Sequence, residues 1–430
     1  LMEDQTFHQF IAVSQLFALL PVSNILSSNV ALVSYSWCSL HTIYSGIIVT
    51  LNLLEFGSVI NLVVKEGLNF HTSGTLSLFV VCILEHIYFW RLATQWPYII
   101  QLWRQTEEVF LRSPYRIYAT YNMKFRIYAL TFIVLLFALI EHSVLVFNSA
   151  NKSYLELTQC NLSISYWEIL YKRERIHLYL VLPFRIWLLP FIEWINLTLA
   201  YPRSFTDAFI ICLAIGLATR FRQLYLRIDA AHSKIMPKIF WTEVRHHYLS
   251  LKRLLRLLNK EVAYLILLAC SNNMYFICFQ LFNSFQNIGV DTIAVSVFWF
   301  SLLFAIARTM LTLYIAATVN DFSHKILSTL RDVPSKSWCL EIQRFSEQLV
   351  VDLTAFSGNG FFFMTRKLMI AMLSTIITYE LMVTDVINKG SIQQQTDYCT
   401  HFWSDELVTQ GNVEPNEPLM DPEYVYDLFW

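Results

Sequence analysis

The sequence predicts an all-α, polytopic membrane protein. It has seven transmembrane helices, a cytoplasmic N-terminus, an extracellular C-terminus and helical extensions that form a cytoplasmic anchor. Three observations carry this reading. Of the 430 residues, 56% are hydrophobic and only 15% charged, too little charge to cover a soluble domain of this size. Apolar runs recur along the chain, each matching a bilayer core of about 30 Å, which takes roughly 20 residues per helix. Lys and Arg are concentrated in alternate connections between those runs. A net charge of −1 gives no reason to expect a nucleic-acid partner. No H-E-x-x-H, phosphate-binding Gly loop or Gly-x-Ser-x-Gly supports an enzyme, and nothing calls for a metal or a cofactor.

The first 36 residues hold no Lys or Arg, and no basic start leads to a small-residue cleavage site, so no secretory signal is read there. Leu1 ahead of Met2 reads as a trimmed start. Phe7–Val22 is amphipathic and is expected to lie along the membrane or pack on the bundle. Spans are predicted at 38–60, 73–96, 127–148, 184–219, 262–286, 292–317 and 368–388. The fourth contains Phe184–Ala200 and Phe205–Ala218 separated by Tyr201-Pro-Arg-Ser, and charge decides whether it crosses once or twice. A single crossing puts the basic connections 2–3, 4–5 and 6–7, with 21 of the 31 Lys and Arg, on one side. The positive-inside rule makes that side cytoplasmic.

Asn151-Lys-Ser and Asn161-Leu-Ser are glycosylation sequons in the predicted outer 3–4 connection. The tail after Lys389 carries eight acidic residues, three Pro and no basic residue, and is read as a non-spanning outer segment. Cys38, Cys82, Cys212, Cys270 and Cys278 lie in apolar stretches and are expected to be small core residues. Cys160 and Cys399 fall outside the membrane, where a disulfide is chemically open to them. The chain thus divides into an N-terminal amphipathic segment (1–36), spans 1–4 with an outer ligand pocket (37–219), spans 5–6 with anchor extensions (220–367), span 7 (368–389) and the acidic tail (390–430).

Two cytoplasmic segments are patterned. From Val244, the residues Tyr248, Leu251, Leu255 and Leu258 form a heptad-like seam that continues without a breaker into span 5. Ile342, Phe345, Leu349, Leu353 and Phe356 form a second apolar stripe before span 7. Two readings stand: a helix on the membrane face, or a collar in which helices pack together. In span 7, Ser374, Thr378, Leu381, Asp385 and Asn388 fall on one helical face, four of them polar. A carboxylate near lipid must face water or a partner. The stripe therefore lines a water-filled path or packs on polar neighbours. Repeated around an axis, Asp385 becomes a carboxylate ring, which favours cations.

Thr378-Tyr379-Glu380-Leu381 resembles the late-span-7 signature of insect gustatory receptors, and its Glu-Leu resembles the sugar-taste branch. Co-linear stretches extend the resemblance over nearly the whole chain: His41-Thr-Ile-Tyr-Ser45, Phe205-Thr-Asp207, Ile215-Gly-Leu-Ala218 with Arg220-Phe221, Ile306-Ala-Arg308, Asn320-Asp321, Trp338-Cys339, Glu341-Ile-Gln-Arg-Phe345, Ser357-Gly358 and Phe362-Phe363. It implies a plasma-membrane, multi-pass, ligand-gated non-selective cation channel. It also implies a homotetramer, or a mixed tetramer with related receptors, around a central pore lined by the last helix. The family usually carries Gln and then an aromatic seven and eight residues after the motif Thr. Here those positions are Asp385 and Val386, a departure from the family at the residues that set gate diameter and ion selectivity.

Sugar as the implied ligand, mono- or disaccharide, wants carboxylate, amide or imidazole partners for its hydroxyls and aromatic faces for its ring. The predicted outer halves of spans 2–6 supply Glu85, His86, Glu141, His142, Trp187, Glu193, Trp194, Asn272, Asn273, Tyr275, Gln280, Asp291, Ser296 and Trp299. Each is equally read as an interhelical hydrogen bond or an interface aromatic. Glu380 lies off the stripe and is a candidate link to a neighbouring helix. Arg308 needs a counter-charge, for which Glu380 and Asp321 are candidates. A G-protein-coupled receptor would place its N-terminus outside, and a transporter would show repeated or broken halves. The alternatives retained are an odorant-receptor-like channel for another small molecule and a seven-helix receptor without its own pore.

Overall fold

The computed structural model describes residues 5–27, 29–118, 123–159, 164–286 and 292–390, with the side chains of 5–6, 70–71, 156, 159, 283–286, 292 and 383–390 excepted. The helices are α1 (Gln5–Leu16), α2 (Leu40–Glu66), α3 (Phe70–Leu111), α4 (Met123–Gln159), α5 (Tyr166–Glu174), α6 (Ile176–Tyr179), α7 (Leu189–Asp229), α8 (Lys238–Gln286), α9 (Thr292–Arg331), α10 (Leu340–Val351) and α11 (Arg366–Gly390). A two-stranded hairpin, β1 (Ser357–Gly358) and β2 (Phe362–Phe363), precedes α11. Among the described residues, six helices (α2, α3, α4, α7, α8 and α9) are long and apolar enough to cross a membrane. The seventh predicted stretch coincides with α11.

Local chemistry sets the helix ends. Ser39 caps α2 by accepting from Thr42 N, and Asn69 with Thr72 forms a reciprocal capping box on α3. Between them, Gly67 closes α2 at φ +83°, a conformation that glycine adopts without a Cβ clash. The fourth stretch is one continuous 41-residue helix with Pro202 inside it. Every residue from Pro202 to Phe221 is buried, because α3, α4, α8 and α9 all pack on α7. An apolar helix with no polar face is one that protein surrounds.

The N-terminal helix packs on the bundle. Phe7 sits 6.2 Å from the Trp96 ring and Phe10 sits 4.8 Å from Phe205. The turn after α1 is tied to α2 by Tyr44, whose hydroxyl donates to Leu16 O at 2.7 Å, and by Ser45, which donates to Ala18 O at 2.8 Å. Two members of the His41–Ser45 stretch thus hold the entry of the chain.

The helices run past the bilayer. At about 1.5 Å per residue the 49 residues of α8 span roughly 74 Å, more than twice the hydrocarbon core. The projecting part carries the predicted seam, and Val244, Tyr248, Leu251, Leu255 and Leu258 are all buried. Ile342, Phe345 and Leu349 of α10 are buried against it, with the Phe345 and Tyr248 rings 5.0 Å apart. Leu353 departs from the expected stripe and is exposed. The helical period stops at Val351, so position 353 belongs to an extended strap that turns the side chain outward. Phe356 is buried from that strap.

Other expectations change in position. Cys82, Cys212 and Cys270 are buried and Cys278 is half-buried, but Cys38 is exposed, because it precedes the Ser39 cap and lies outside the helix. Asn151 lies in the last turns of α4, which continues to Gln159. The connection between α4 and α7 holds α5 and α6. Asn161, Cys160 and Cys399 lie outside the described residues.

The strap after α10 is held electrostatically as well. Lys252 of α8 bonds Asp352, and the ammonium holds the Asp352 carboxyl below its ordinary value. A depressed carboxylate contributes stability above its unfolded pKa of about 3.9, and that contribution is lost as pH falls through the lower folded value. Thermal melts of the purified protein should therefore place Asp352→Asn slightly below the parent at pH 7. The two should converge as pH drops beneath the carboxylate range; a gap that persists there would exclude the ion pair as its cause.

Candidate functional site

The interior of the bundle is not uniformly apolar. Asp207 on α7 lies 2.9 Å from Arg308 Nε on α9. Arg308 also donates to Ser204 Oγ at 2.8 Å and to Asn273 Oδ1 at 3.3 Å. Asn273 of α8 in turn donates to both Asp207 oxygens, at 3.2 and 3.0 Å. One carboxylate, one guanidinium, one amide and one hydroxyl therefore bind three helices. Asp207, Asn273 and Arg308 are each at least 95% buried, where an ion pair survives only with its remaining donors and acceptors satisfied.

The counter-charge of Arg308 is thus Asp207, which corrects the two candidates named from sequence. Asp321 instead accepts from Arg366 Nε at 2.7 Å, at the start of α11. Glu380 is exposed. The sequence signal for Asp207 is a carboxylate and Arg203 inside an apolar run, beside the Tyr201-Pro-Arg-Ser interruption that separates the two halves of the stretch.

A second chain of hydrogen bonds crosses α8, α9 and α4. Gln280 donates to Ser301 Oγ at 3.1 Å, and Ser301 donates to Glu141 Oε1 at 2.6 Å. Glu85 on α3 is fully buried, and neither carboxyl oxygen is hydrogen-bonded among the described residues. The neighbouring Thr206 hydroxyl gives its hydrogen to Pro202 O at 2.8 Å. Arg203 and Arg308 act on Glu85 electrostatically, and the Arg203 guanidinium stacks 5.4 Å over the Phe276 ring. Both amide atoms of Asn272 and the Gln280 Oε1 are buried without a hydrogen-bond partner among the described residues. His86 is buried, its Nδ1 2.8 Å from Cys82 O.

The structure therefore brings Glu85, His86, Glu141, Asn272, Asn273 and Gln280 into the bundle interior and separates the others. Glu193 accepts from Tyr171 at 3.5 Å, and His142 is half-buried. Trp187, Trp194, Tyr275, Ser296 and Trp299 are exposed, and Trp194 donates to the Tyr44 hydroxyl at 3.1 Å. Asp291 lies outside the described residues. Sequence reasoning missed Asp207, Ser204, Arg203 and Ser301, which complete the interior network.

On α11, Ile376 is buried against Ile277, Leu281, Leu302 and Ala305, with Tyr379 packed on the same cluster. The opposite face, with Ser374, Thr378 and Leu381, is exposed. Thr378 donates to Ser374 O at 2.8 Å, as a hydroxyl within a helix does when no other acceptor is offered. The side chains of Asp385, Val386 and Asn388 lie outside those described.

The family described as trehalose receptor matches residues 2–399. Drosophila melanogaster gustatory receptor for sugar taste 64b is 56% identical over 404 residues, 93% of this chain and 100% of that protein. Drosophila melanogaster gustatory receptor 5a for trehalose is 27% identical over 398 residues, 89% of this chain and 85% of that one. Among solved structures, the insect olfactory receptor OR5 of Machilis hrabei in complex with eugenol superposes with a TM-score of 0.64. It has 12% identity and covers 89% of this chain and 100% of that one, a likeness of fold.

Removing one partner of a buried pair leaves an uncompensated charge, at a cost of about 3–5 kcal/mol. Asp207→Asn and Arg308→Met should each lower the melting temperature and surface delivery by an effect of that size. The double variant should recover a substantial part. Strictly additive losses in a double-mutant cycle would mean the two side chains do not interact.

Proposed function

Because the chain belongs to the trehalose-receptor family of sugar-taste gustatory receptors, we propose that it is a sugar-gated cation channel. Sugar enters among the buried polar groups of the bundle and opens a pore lined by α11. The chain is a multi-pass membrane protein, and the reading places its N-terminus in the cytoplasm and its C-terminus outside. The observation that carries the ligand part is the set of buried polar atoms that have no hydrogen-bond partner among the described residues. Glu85, Asn272 and the Gln280 carbonyl offer acceptors and a donor inside an otherwise apolar bundle. A polyhydroxylated ligand satisfies such groups, and a hydrocarbon-like odorant does not. His86, Glu141, His142, Glu193, Asn273, Asp291 and Ser296 complete the polar set in this reading, and Trp187, Trp194, Tyr275 and Trp299 supply aromatic faces.

The pore part rests on the uncovered face of α11. Ile370, Leu373, Ile377, Leu381 and Met382 are exposed alongside Ser374 and Thr378, so one chain leaves this helix half-dressed. A second exposed apolar group, Val350, Val351, Leu353 and Phe361, lies around the end of α10 and the hairpin. Both surfaces are what copies of the chain, or related receptors, cover on assembling into a tetramer. Around that axis Ser374, Thr378, Leu381, Asp385 and Asn388 face the ion path. Asp385 and Val386 stand at the gate, and the carboxylate ring favours cations.

The chain expressed alone, with G-protein signalling blocked and surface delivery verified, should give a prompt, reversible cation current to a sugar panel. Asp385→Asn should reduce cation conductance while leaving the sugar concentration for half-activation nearly unchanged. Silence despite surface protein would reject the homomeric sugar-gated channel, and recovery of current on co-expression with a related receptor would assign the chain to a mixed tetramer.

A further inference from the structure

The strap between α10 and the hairpin has few backbone partners of its own, and its hydrogen bonds go to the two helices that also carry the interior polar network. Asn259 of α8 donates from Nδ2 to Ala355 O at 2.9 Å and accepts at Oδ1 from Ser357 N at 3.2 Å. Its side-chain amide therefore completes the strap as a neighbouring strand would. Asn is a poor choice for a helix interior, and here both ends of the amide are spent on this contact. Eleven residues earlier on the same helix, Tyr248 and Thr354 share a hydroxyl hydrogen bond of 2.8 Å. From α9, Asn320 Nδ2 donates to the Thr354 carbonyl at 3.4 Å. Thr354 is thus held by α8 through its side chain and by α9 through its backbone.

Beyond the strap the chain is stiff up to α11. Asn359 and Gly360 make the hairpin turn at φ 52° and 81°. Gly360 N donates to Ser357 Oγ at 2.9 Å, and Met364 N donates to Phe356 O at 2.8 Å. A Cβ at Gly358 would meet the Phe362 ring at 2.4 Å, so the two strands are in close contact. Arg366 then closes onto Asp321 of α9. On the network side, Asn273 lies 14 residues above Asn259 on one unbroken α8, about 21 Å along the axis.

We propose that Asn259 is a positioning residue for gating: its amide clamp passes a shift of α8 against α9 from the interior network to the strap, and so to the start of α11. The inference rests on the sugar-gated channel reading and deepens it. Any ligand that rearranges Asn273, Asp207 and Arg308 changes how α8 sits on α9, because those three side chains join α8, α9 and α7 inside the bundle. The strap is gripped by both, so it must follow.

The test uses the full chain and separates binding from gating. Asn259→Ala should keep the stabilisation of the purified protein by sugar, read as a ligand-dependent melting shift. Its maximal sugar-evoked current per surface channel should fall about ten-fold, the effect of losing two modest hydrogen bonds from the gating equilibrium. A cysteine pair replacing Asn259 and Ser357 should regain current on oxidation and lose it on reduction. Tyr248→Phe, which keeps the ring on Phe345 and removes only the hydroxyl at Thr354, is the second variant should Asn259→Ala fail to reach the surface. Independently of current, the labelling rate of Lys367→Cys should change with sugar in the parent and stop changing once Asn259→Ala is added. Wild-type current in Asn259→Ala, or parallel loss of binding and current, would overturn the proposal. A parent without current whose Lys367→Cys labelling still responds to sugar through Asn259 would reject the channel reading and keep the coupling. A parent whose labelling ignores sugar would overturn the coupling.

Discussion

The ion pair between Asp207 and Arg308 dictates how the bundle is assembled. A guanidinium inside an apolar helix bundle cannot be solvated by water, so its charge must be met by a carboxylate at the same depth on a neighbouring helix. Once Asn273 bridges the two, α7, α8 and α9 are fixed in one mutual register. The same constraint explains why α7 has no lipid face from Pro202 to Phe221. It carries Arg203, Ser204, Thr206 and Asp207 within five residues, pointing in several directions around the helix. Such a segment is tolerable only with protein on every side, and all residues from Pro202 to Phe221 are buried. The remaining helices then divide between those that shield α7 and meet lipid, with exposed Phe132, Leu139 and Phe147 on α4, and α11, whose open face mixes hydroxyl and apolar groups.

Below that level the long helices continue because their amphipathic extensions bury one another. Trp241, Tyr248 and Leu258 of α8 are fully buried. Arg220 of α7 reaches back to Glu107 of α3 while Gln223 donates to Phe110 O and Tyr115 O, both at 3.3 Å. The part beyond the predicted spans is therefore a packed continuation of the bundle, and α8 is a single element linking the polar interior, that extension and the strap. The collar reading and the membrane-face reading of α10 differ in what its buried stripe touches, and within one chain that stripe touches α8.

Much of this was legible in the sequence because the bilayer imposes a length and the helix imposes a period. Six of the predicted spans coincide with apolar helices, and the run from Val244 to Leu258 named buried residues correctly, since a 3.6-residue repeat defines a face before any partner is known. Helix ends were less legible. The hydrophobic signal stops at the membrane while α8 and α9 do not. Leu353 was misplaced because a period holds only inside a helix, and α10 ends at Val351. The partner of Arg308 was illegible for a different reason. It lies on another helix, and no local pattern distinguishes Asp207 from Asp321 as the carboxylate at the right depth. Only the packing of α7 against α9 decides that.

The candidate ligand residues divide along the same line. Asn273 and Glu141 are hydrogen-bonded to their neighbours, so their chemistry is already spent on architecture. Glu85, Asn272 and the Gln280 carbonyl are not, and each buried polar group left unpaired costs about 1–3 kcal/mol. A bundle required only to be stable would carry apolar side chains of similar volume at these positions, since replacing both members of a polar contact by hydrocarbon is nearly neutral. Retaining a carboxylate, an amide and a carbonyl there means that the unliganded bundle sits above the free energy it would otherwise reach. In the proposed sugar-gated reading, a ligand that pairs with any of these groups recovers part of that difference on binding, and a ligand that pairs with none does not. The proposal of a hydroxyl-rich ligand therefore rests on which polar groups, among the described residues, the fold leaves unsatisfied.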